Sequence, residues 1–393
     1  MSRLTDSRLL SRIDWFFVAL ILSLLGSSVF ILSTASLNVI EGDPYHYVRT
    51  QLIFIITGLA LAVFTAAIDY RHWQKLAWVI YGFNILLLAL VFFLGSSAKG
   101  ATRWIYITST QGLQPSEFAK IFLILSLAHF LAGREGKLRR VRDFLPPLLF
   151  TLPPALLVFK QPDLGTALVF AAIFIGMMFV AGAHPWKFGG ILFGGFALVV
   201  LAIFLHLATD LPGPLAKLEG LPLPFEDYQI KRLTSFVDPA SDLSDDSYHV
   251  VQSMWAIGAG GLWGKGYRGG TQGQYNFLPE HHTDFIFSIV GEEFGFVGAA
   301  GLLLAFCLLL LRMIHIASGS ADLYGALVVG GLTSMLLFQI FENIGMVSGM
   351  MPITGIPLPF ITSGGSSMWA NMLGAGLALS VAMRRERPMF DDG

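Results

Sequence analysis

Long apolar stretches dominate this sequence and limit what it can fold into. A helix needs about 20 apolar residues to cross the core of a bilayer. The chain of 393 residues contains ten stretches of about that length: residues 13–34, 51–68, 76–95, 116–132, 144–159, 164–182, 188–208, 284–314, 323–349 and 363–384. We therefore predict an all-α polytopic membrane protein of about ten transmembrane helices, which forms one membrane domain over residues 1–393.

The composition excludes several other classes of protein. Charged residues make up 13% of the chain and apolar residues 54%, whereas soluble domains carry about 25% charged residues. This apolar content excludes a disordered or collagen-like chain, and a single cysteine, Cys307, excludes a disulfide framework. The net charge of −1 provides no basic surface for a nucleic-acid partner.

The distribution of Lys and Arg predicts that both termini are cytoplasmic. Short cytoplasmic loops collect basic residues. In this orientation fifteen basic residues lie in cytoplasmic segments: Arg3, Arg8, Arg12, Arg71, Lys75, Arg134, Lys137, Arg139, Arg140, Arg142, Lys187, Arg312, Arg384, Arg385 and Arg387. Only four lie in the short outer loops: Arg49, Lys99, Arg103 and Lys160. This bias sets the direction of every predicted span.

One long outer loop, residues 209–283, separates the seventh and eighth predicted spans. Its 75 residues exceed the length of most passive connections. Within it, Tyr248 to Ile257 has the spacing of an amphipathic helix whose apolar face consists of Val250, Val251, Met254 and Ile257. We expect this helix to lie on the membrane surface.

Ionisable side chains gather at one predicted depth. A charge in hydrocarbon is costly, so each one is a functional candidate. Six of them fall near the outer ends of four predicted spans: Glu117, Lys120, Lys160, Asp163, Asp284 and Glu342. From this common depth we infer a polar site that opens to the outer face.

Two of these spans begin with similar motifs, Gln114–Glu117 and Gln161–Leu164. Helix N-termini carry partial positive charge and free amides, which suit phosphate. Lys120 follows Glu117 by three residues and lies on the same helix face. Two interpretations stay open: the two side chains form a structural pair, or Lys120 is held ready for a phosphate oxygen.

Asp284 ends a dense polar cluster just before an apolar run. We expect Thr283 to cap the next helix and Asp284 to occupy its first position. The carboxylate either complements the helix dipole or, balanced between burial and that dipole, accepts a proton from a sugar hydroxyl as a general base. The adjacent His281 and His282 match no zinc template and are expected to be polar structure at the interface.

Glu292 and Glu293 lie about 12–14 Å deeper along the same span. They precede Gly295 and Gly298, where we expect a kink or close helix packing. A structural polar contact is the expected role for at least one of these carboxylates.

Two outer loops complete the set of candidates. Arg103–Trp104 either binds a phosphate or a sugar ring or anchors its loop in the aromatic belt, and the spacing favours the anchor. The stretch from Asn343 to Ser367 is rich in Gly and Pro. Irregular backbone at the membrane edge is tolerated where it lines a cavity, so this loop points to the same outer site.

Six motifs spread over nearly the whole chain occur together in one known family. They are Arg103–Trp104, Gln114–Glu117 with Lys120, Gln161–Thr166, Gly264–Gly266, Leu278–Phe287 and Asn343–Ser367. With this set the chain resembles the SEDS (shape, elongation, division and sporulation) proteins. Its Pro352–Pro359 run is similar to that of elongation members and differs from that of division members. Thr362–Ser363 departs from the usual Ser-Tyr, so no role of that tyrosine is transferred.

The resemblance implies a peptidoglycan glycosyltransferase that polymerises lipid II during cell elongation and the maintenance of cell shape. The essential aspartate of the family corresponds to Asp284, implied to be the general base. Arg103 and Lys120 are implied to contact the departing pyrophosphate, positioned by neighbouring carboxylates. The complete implied substrate-binding set is Arg103, Trp104, Glu117, Lys120, Asp163, Thr166, Glu342 and Ser366.

The family also implies partners and a location. These are lipid II, a class B penicillin-binding protein and membrane lipids, with the active site on the outer side of the bacterial inner (cytoplasmic) membrane. A divalent cation, Mg²⁺ or Mn²⁺, would assist loss of pyrophosphate, although the sequence shows no ligand set. Two other functions compete: a lipid II flippase, which the deep Glu292 and Glu293 favour, and a non-catalytic scaffold for the transpeptidase.

Overall fold

The computed structural model describes residues 11–36, 43–98, 101–106, 112–208, 245–275, 277–278 and 282–385. These residues are mostly helical. Their α-helices are α1 (Trp15–Ala35), α2 (His46–Ala67), α3 (Tyr70–Lys75), α4 (Ala77–Leu94), α5 (Pro115–Ala132), α6 (Leu145–Lys160), α7 (Leu164–Val180), α8 (Pro185–Ala208), α9 (Asp245–Gly260), α10 (Thr271–Gln274), α11 (Ile286–Ser318), α12 (Leu323–Val347) and α13 (Gly365–Met383). A 3₁₀ helix, Val141–Phe144, leads directly into α6.

A helix lies at each of the ten predicted spans. Within the described ranges, seven helical segments are long and apolar enough to cross a membrane: α1, α2, α4, α5, α6 with its 3₁₀ turn, α11 and α12. The other three predicted spans correspond to α7, α8 and α13. A mostly helical protein with several apolar spans is confirmed, while ten crossings and cytoplasmic termini stay predictions.

The loop between α4 and α5, which the sequence predicts to be an outer loop, contains β-strands, so the all-α prediction is wrong for this part of the chain. It contains strands β1 (Ser96–Ala98), β2 (Ala101–Tyr106) and β3 (Gly112–Leu113), which form an antiparallel sheet in the order β1-β2-β3. Strands this short give no periodic signal in the sequence, because strand preference depends on cross-strand neighbours.

Helix α9 confirms the helix expected at 248–257, but its buried face is different. Gln252, Ser253 and Ala256 are buried, and Met254 is exposed. The Ser253 hydroxyl donates to the Val347 carbonyl at 2.7 Å, so this face packs on protein. The location of α9 on the membrane surface stays a prediction, and residues 209–244 of the long loop lie outside the described ranges.

Helices α5 and α12 form the centre of the molecule, since most of their side chains are buried. Small residues bring the neighbouring helices close to them and to each other. A Cβ added to Gly176 of α7 would overlap Ser334 of α12, and one added to Gly376 of α13 would overlap Thr65 of α2. These close approaches pack α7 against α12 and α13 against α2.

Helix α11 is broken at Gly295, where φ is 64° and ψ is −164°. At the break, backbone N–H and C=O groups of α11 have no partner within the helix. They form hydrogen bonds with the segment 261–266, which follows α9. The N–H groups of Lys265 and Gly266 donate to the carbonyls of Glu292 and Glu293 at 3.0 and 2.9 Å, and those of Phe296 and Val297 donate to Gly261 and Leu262 at 2.9 and 3.1 Å. The expected kink is confirmed.

Candidate active site

Asp163 is the most highly connected of the predicted site residues. It is the N-cap of α7, where its side chain accepts from the Thr166 N–H at 3.1 Å and the Thr166 hydroxyl at 3.0 Å. Ser116 and Gln114, at the start of α5, donate to the same carboxylate at 3.1 and 3.3 Å. The two similar motifs noted in the sequence therefore meet, with Asp163 as the residue that joins them.

Arg103 reaches this carboxylate from the sheet. Its Nη1 lies 3.9 Å from Asp163 Oδ1, and its Nε donates to the Gln161 carbonyl at 3.3 Å. Gln161 is in turn fixed by a 2.7 Å bond from its amide to the Leu88 carbonyl. The Arg103 side chain is 21% exposed, so this cation is held in place and is still partly accessible to a ligand. Its neighbour Trp104 is half-buried in β2.

Glu117 and Lys120 form an ion pair one turn further along α5. Lys120 Nζ lies 2.8 Å from Glu117 Oε1, and the side chains are 2% and 5% exposed respectively. Pro115 opens the helix and Glu117 lies in its first turn, as the motif predicts. The structural interpretation of the pair therefore has direct geometric support, while contact of Lys120 with a phosphate stays a prediction.

Asp284 lies against the loop between α12 and α13, which the sequence predicts to be the last outer loop, but it is not at the helix position expected. Helix α11 begins at Ile286, with Phe285 as its N-cap and no side-chain cap. The prediction that Thr283 caps the helix with Asp284 in its first position is wrong. Burial of Phe285 and Ile286, at 4% and 0% exposure, fixes the helix start two residues later and leaves Asp284 in the preceding turn.

The last outer loop brings Asp284 towards the rest of the site. At Gly355, whose φ is 71°, an added Cβ would lie 3.4 Å from Asp284 Oδ2. The adjacent Thr354 donates its hydroxyl to buried Glu342. An added Cβ on Gly165 would lie 3.0 Å from the Thr354 carbonyl. The loop therefore touches Asp284, Glu342 and the first turn of α7, which Asp163 caps.

Asn343 and Ser366 fix the two ends of this loop. The Asn343 amide donates at 2.8 Å to the carbonyls of both Asp284 and Ile356. The Ser366 hydroxyl accepts the Gln114 N–H at 2.9 Å. The sequence indicated Ser366 only through the family motif, and it missed the positioning roles of Asn343 and Ser116. Small polar residues beside proline or glycine at helix ends were the available signal.

Glu292 and Glu293 are separate from this cluster and have a structural role. Glu292 Oε1 lies 2.6 Å from Lys265 Nζ and accepts the Thr271 N–H at 2.7 Å. Glu293 accepts the Thr34 hydroxyl of α1 at 2.5 Å and the Gly270 N–H of the glycine-rich segment at 3.4 Å. Both carboxylates thus fasten the glycine-rich segment to α11, and the expected structural contact is confirmed for both.

The histidines and the metal prediction have different outcomes. His282 packs its ring on Tyr47, with centroids 4.3 Å apart, and His281 lies outside the described residues. Among the described residues, no group of three or more His, Cys, Asp or Glu is arranged to hold a metal ion. The divalent cation stays a prediction, and no chemical step is assigned to it.

Sequence comparison places this arrangement in a known family. The family described as "Cell cycle protein", which groups FtsW, RodA and SpoVE, matches residues 12–387. The chain belongs to the FtsW/RodA/SpoVE family. This is the SEDS family that the motifs predicted, and its match extends from the start of α1 to the end of α13.

Individual relatives of this family match over most of their length. Stage V sporulation protein E of Bacillus subtilis (strain 168) is 38% identical over 344 residues, 86% of this chain and 88% of the relative. Peptidoglycan glycosyltransferase MrdB of Escherichia coli (strain K12) is 35% identical over 382 residues, 95% and 94% of the two chains. The predicted enzyme class is confirmed through relatives such as MrdB, which are named peptidoglycan glycosyltransferases.

The fold of the family also matches. One solved structure, concerned with the coordination of polymerization and crosslinking by a peptidoglycan synthase complex, contains a similar chain. The TM-score is 0.76 at 32% identity, and the match covers 94% of this chain and 97% of the other.

Proposed function

We propose that this protein polymerises lipid II into glycan strands on the outer side of the bacterial inner membrane, during cell elongation. One observation carries the proposal. The last outer loop places the Asp284 carboxylate, which is half-buried, beside the same segment that contacts Glu342 and the Asp163-capped end of α7. The same chain of contacts connects the Asp284 carboxylate to the cation Arg103, because Arg103 lies beside Asp163.

The proposed reaction needs a base and a cation. The 4-hydroxyl of the acceptor GlcNAc attacks C1 of the donor MurNAc and forms the new glycosidic bond. The bond from C1 to undecaprenyl pyrophosphate breaks, and that group leaves with its electron pair. Asp284 accepts the hydroxyl proton, an effect that typically contributes about 10²–10⁴-fold in rate.

Arg103 is the better candidate for the leaving pyrophosphate. The Arg103 side chain is 21% exposed, and its Nη1 lies 3.9 Å from Asp163 Oδ1. Its Nη N–H groups can therefore turn towards a phosphate. Lys120 is 2% exposed and already paired at 2.8 Å, and its contact with substrate requires that pair to open. Asp163 and Glu117 position the two cations, while Trp104, Thr166, Glu342 and Ser366 complete the proposed substrate-binding wall.

The elongation role and the partner are supported by separate observations. The Pro352–Pro359 run resembles the elongation form of the family. A class B penicillin-binding protein is proposed as the partner because a similar chain occurs in a solved peptidoglycan synthase complex. The flippase alternative loses the feature that favoured it, since Glu292 and Glu293 are bound by the glycine-rich segment.

A polymerisation assay tests the proposal. Purified protein, with its transpeptidase partner, receives labelled lipid II, and products are separated on a gel. Wild type is expected to make glycan strands and Asp284→Asn to make none. The matched control is Asp43→Asn, which removes a carboxylate paired with Arg49 in another part of the outer surface. Normal polymerisation by Asp284→Asn would refute its role as the base.

The same preparation separates the alternatives. If wild type makes no glycan but moves labelled lipid II across liposomes, the protein is a flippase. If it does neither and only raises the activity of its partner, it is a scaffold.

A further inference from the structure

Two adjoining cavities lie at the end of the molecule that the distribution of Lys and Arg assigns to the cytoplasm. Helices α1, α2 and α13 enclose an apolar groove of about 390 Å³. Beside it is a polar cavity of about 270 Å³ lined by Arg12, Arg312 and Arg385. Ile13 and Met383 line both of them, so the groove and the arginine cavity are direct neighbours.

The length of the groove favours a lipid chain over a protein helix. Along α13 the groove extends from Met372 to Met383, about 16 Å at 1.5 Å per residue. The hydrocarbon core of a bilayer is about 30 Å thick, so the groove is as long as one leaflet. A partner helix that crosses the membrane would need a groove about twice as long.

The charge in the arginine cavity is not balanced by its own carboxylate. Arg312 Nη2 pairs with Asp14 Oδ2 at 2.7 Å, and Asp14 is the acidic residue among those lining the cavity. Arg12 is exposed at its edge. Among the described residues that line this cavity, three guanidinium groups face one carboxylate, and this local excess of about +2 attracts an anion.

Arg385 carries a buried hydrogen-bond donor that no described residue satisfies. Its Nη2 donates to the His315 carbonyl at 2.8 Å, but its Nε is buried and has no hydrogen-bond partner in the described part of the chain. Burial lowers the pKa of the Arg385 guanidinium below its ordinary value. A phosphate would supply both an acceptor for Nε and a compensating charge.

We propose that the groove and the arginine cavity together bind one anionic phospholipid of the inner leaflet. Its acyl chains lie in the groove between α1, α2 and α13, and its phosphate contacts Arg12 and Arg385. The negative surface of the cytoplasmic leaflet supplies such lipids at this depth. The site is at the opposite end of the helices from Asp284, so it is distinct from the proposed active site.

Lipid titration of the purified full-length protein, followed by native mass spectrometry, tests the site. The probes are phosphatidylglycerol and phosphatidylcholine with the same acyl chains. Arg12→Gln and Arg385→Gln are each expected to weaken phosphatidylglycerol binding about five-fold, and the double variant about 30-fold. Binding of phosphatidylcholine is expected to stay unchanged in these variants. Val18→Trp, which fills the groove, is expected to weaken both lipids.

The control and the contrary outcomes are clear. Arg142→Gln removes an exposed arginine elsewhere on the predicted cytoplasmic face and is expected to change nothing. Equal binding of the two lipids by wild type, or no loss in the double variant, overturns the proposal. Competition by inorganic phosphate alone at similar concentration would mean a free-anion site, and tighter binding of undecaprenyl phosphate would mean a polyprenyl site; either overturns the phospholipid assignment. Thermal unfolding checks that each variant is folded.

Discussion

The buried pair Glu117–Lys120 gives the sharpest prediction. Lys120→Met removes the cation 2.8 Å from Glu117 Oε1, where the two side chains are almost completely buried. Glu117 Oε2 has no hydrogen-bond partner in the described residues, so no other group replaces the lysine. Breaking a buried pair in this way costs about 3–5 kcal/mol, a large part of a total folding stability of about 5–15 kcal/mol. We expect a marked fall in thermal stability.

The double variant Glu117→Gln/Lys120→Met separates structure from function. It removes the uncompensated carboxylate, so most of the lost stability is expected to return. If Lys120 also contacts the pyrophosphate, this restored protein still polymerises lipid II poorly. Unfolding in detergent and the gel assay are measured on both variants, with Lys187→Met, an exposed lysine bonded to a carbonyl, as control. Wild-type stability in the single variant would refute the reasoning about the pair. A fully active double variant would remove Lys120 from the site.

Three other predictions concern structural contacts outside the candidate site. Gly295→Ala places a Cβ 2.3 Å from Gly264 N at a φ of 64°, so backbone strain alone is expected to lower the folding stability by about 1–3 kcal/mol. The control is Gly301→Ala on the same helix, where a Cβ meets nothing within 4 Å. This variant should leave the melting temperature nearly unchanged. Glu292→Gln loses the 2.6 Å contact with Lys265, and proteolysis of residues 261–275 should become faster than in wild type or in the exposed-site control Glu135→Gln. The third prediction concerns stability at acidic pH. Burial raises the pKa of Asp322, but hydrogen bonds from Gly325, Tyr70 and Arg71 lower the pKa by more than burial raises it. The net pKa of Asp322 is therefore below its ordinary value. Asp322 therefore contributes stability above its ordinary pKa that is lost as the pH falls through the lowered value, and Asp322→Asn should remove that part of the acid dependence measured by thermal unfolding.

Local sequence rules predicted the start of α5 correctly but not the start of α11. Pro115 and Glu117 identified the start of α5 correctly, because a proline and a carboxylate in the first turn act through the local backbone. The start of α11 was misplaced by two residues, since burial of Phe285 and Ile286 decides it. Similarly, the apolar face expected for α9 is not its buried face. Ser253 is buried through hydrogen bonds with Ser288 of α11 and Val347 of α12, and Ala256 is buried on the same helix.

The amino-acid sequence alone was enough to predict the class of structure and the family. Apolar runs of span length allow few folds, because an unpaired backbone cannot enter a bilayer. The motifs at 114–117, 161–166 and 343–367 are contiguous in the chain and so are readable without coordinates. These motifs also indicated which carboxylate and cationic side chains are candidates for the site.

Which of these charged side chains lie close together is visible only in the folded molecule. Asp163 joins Arg103 to the start of α5, Gly355 lies against Asp284, and the glycine-rich segment fastens to Glu292 across the break in α11. Each contact joins residues far apart in the chain, and its geometry depends on how closely glycine and other small residues let the helices approach. A one-dimensional pattern gives the depth of a side chain along its own helix, but the neighbour it faces is set by the packing of all the helices together.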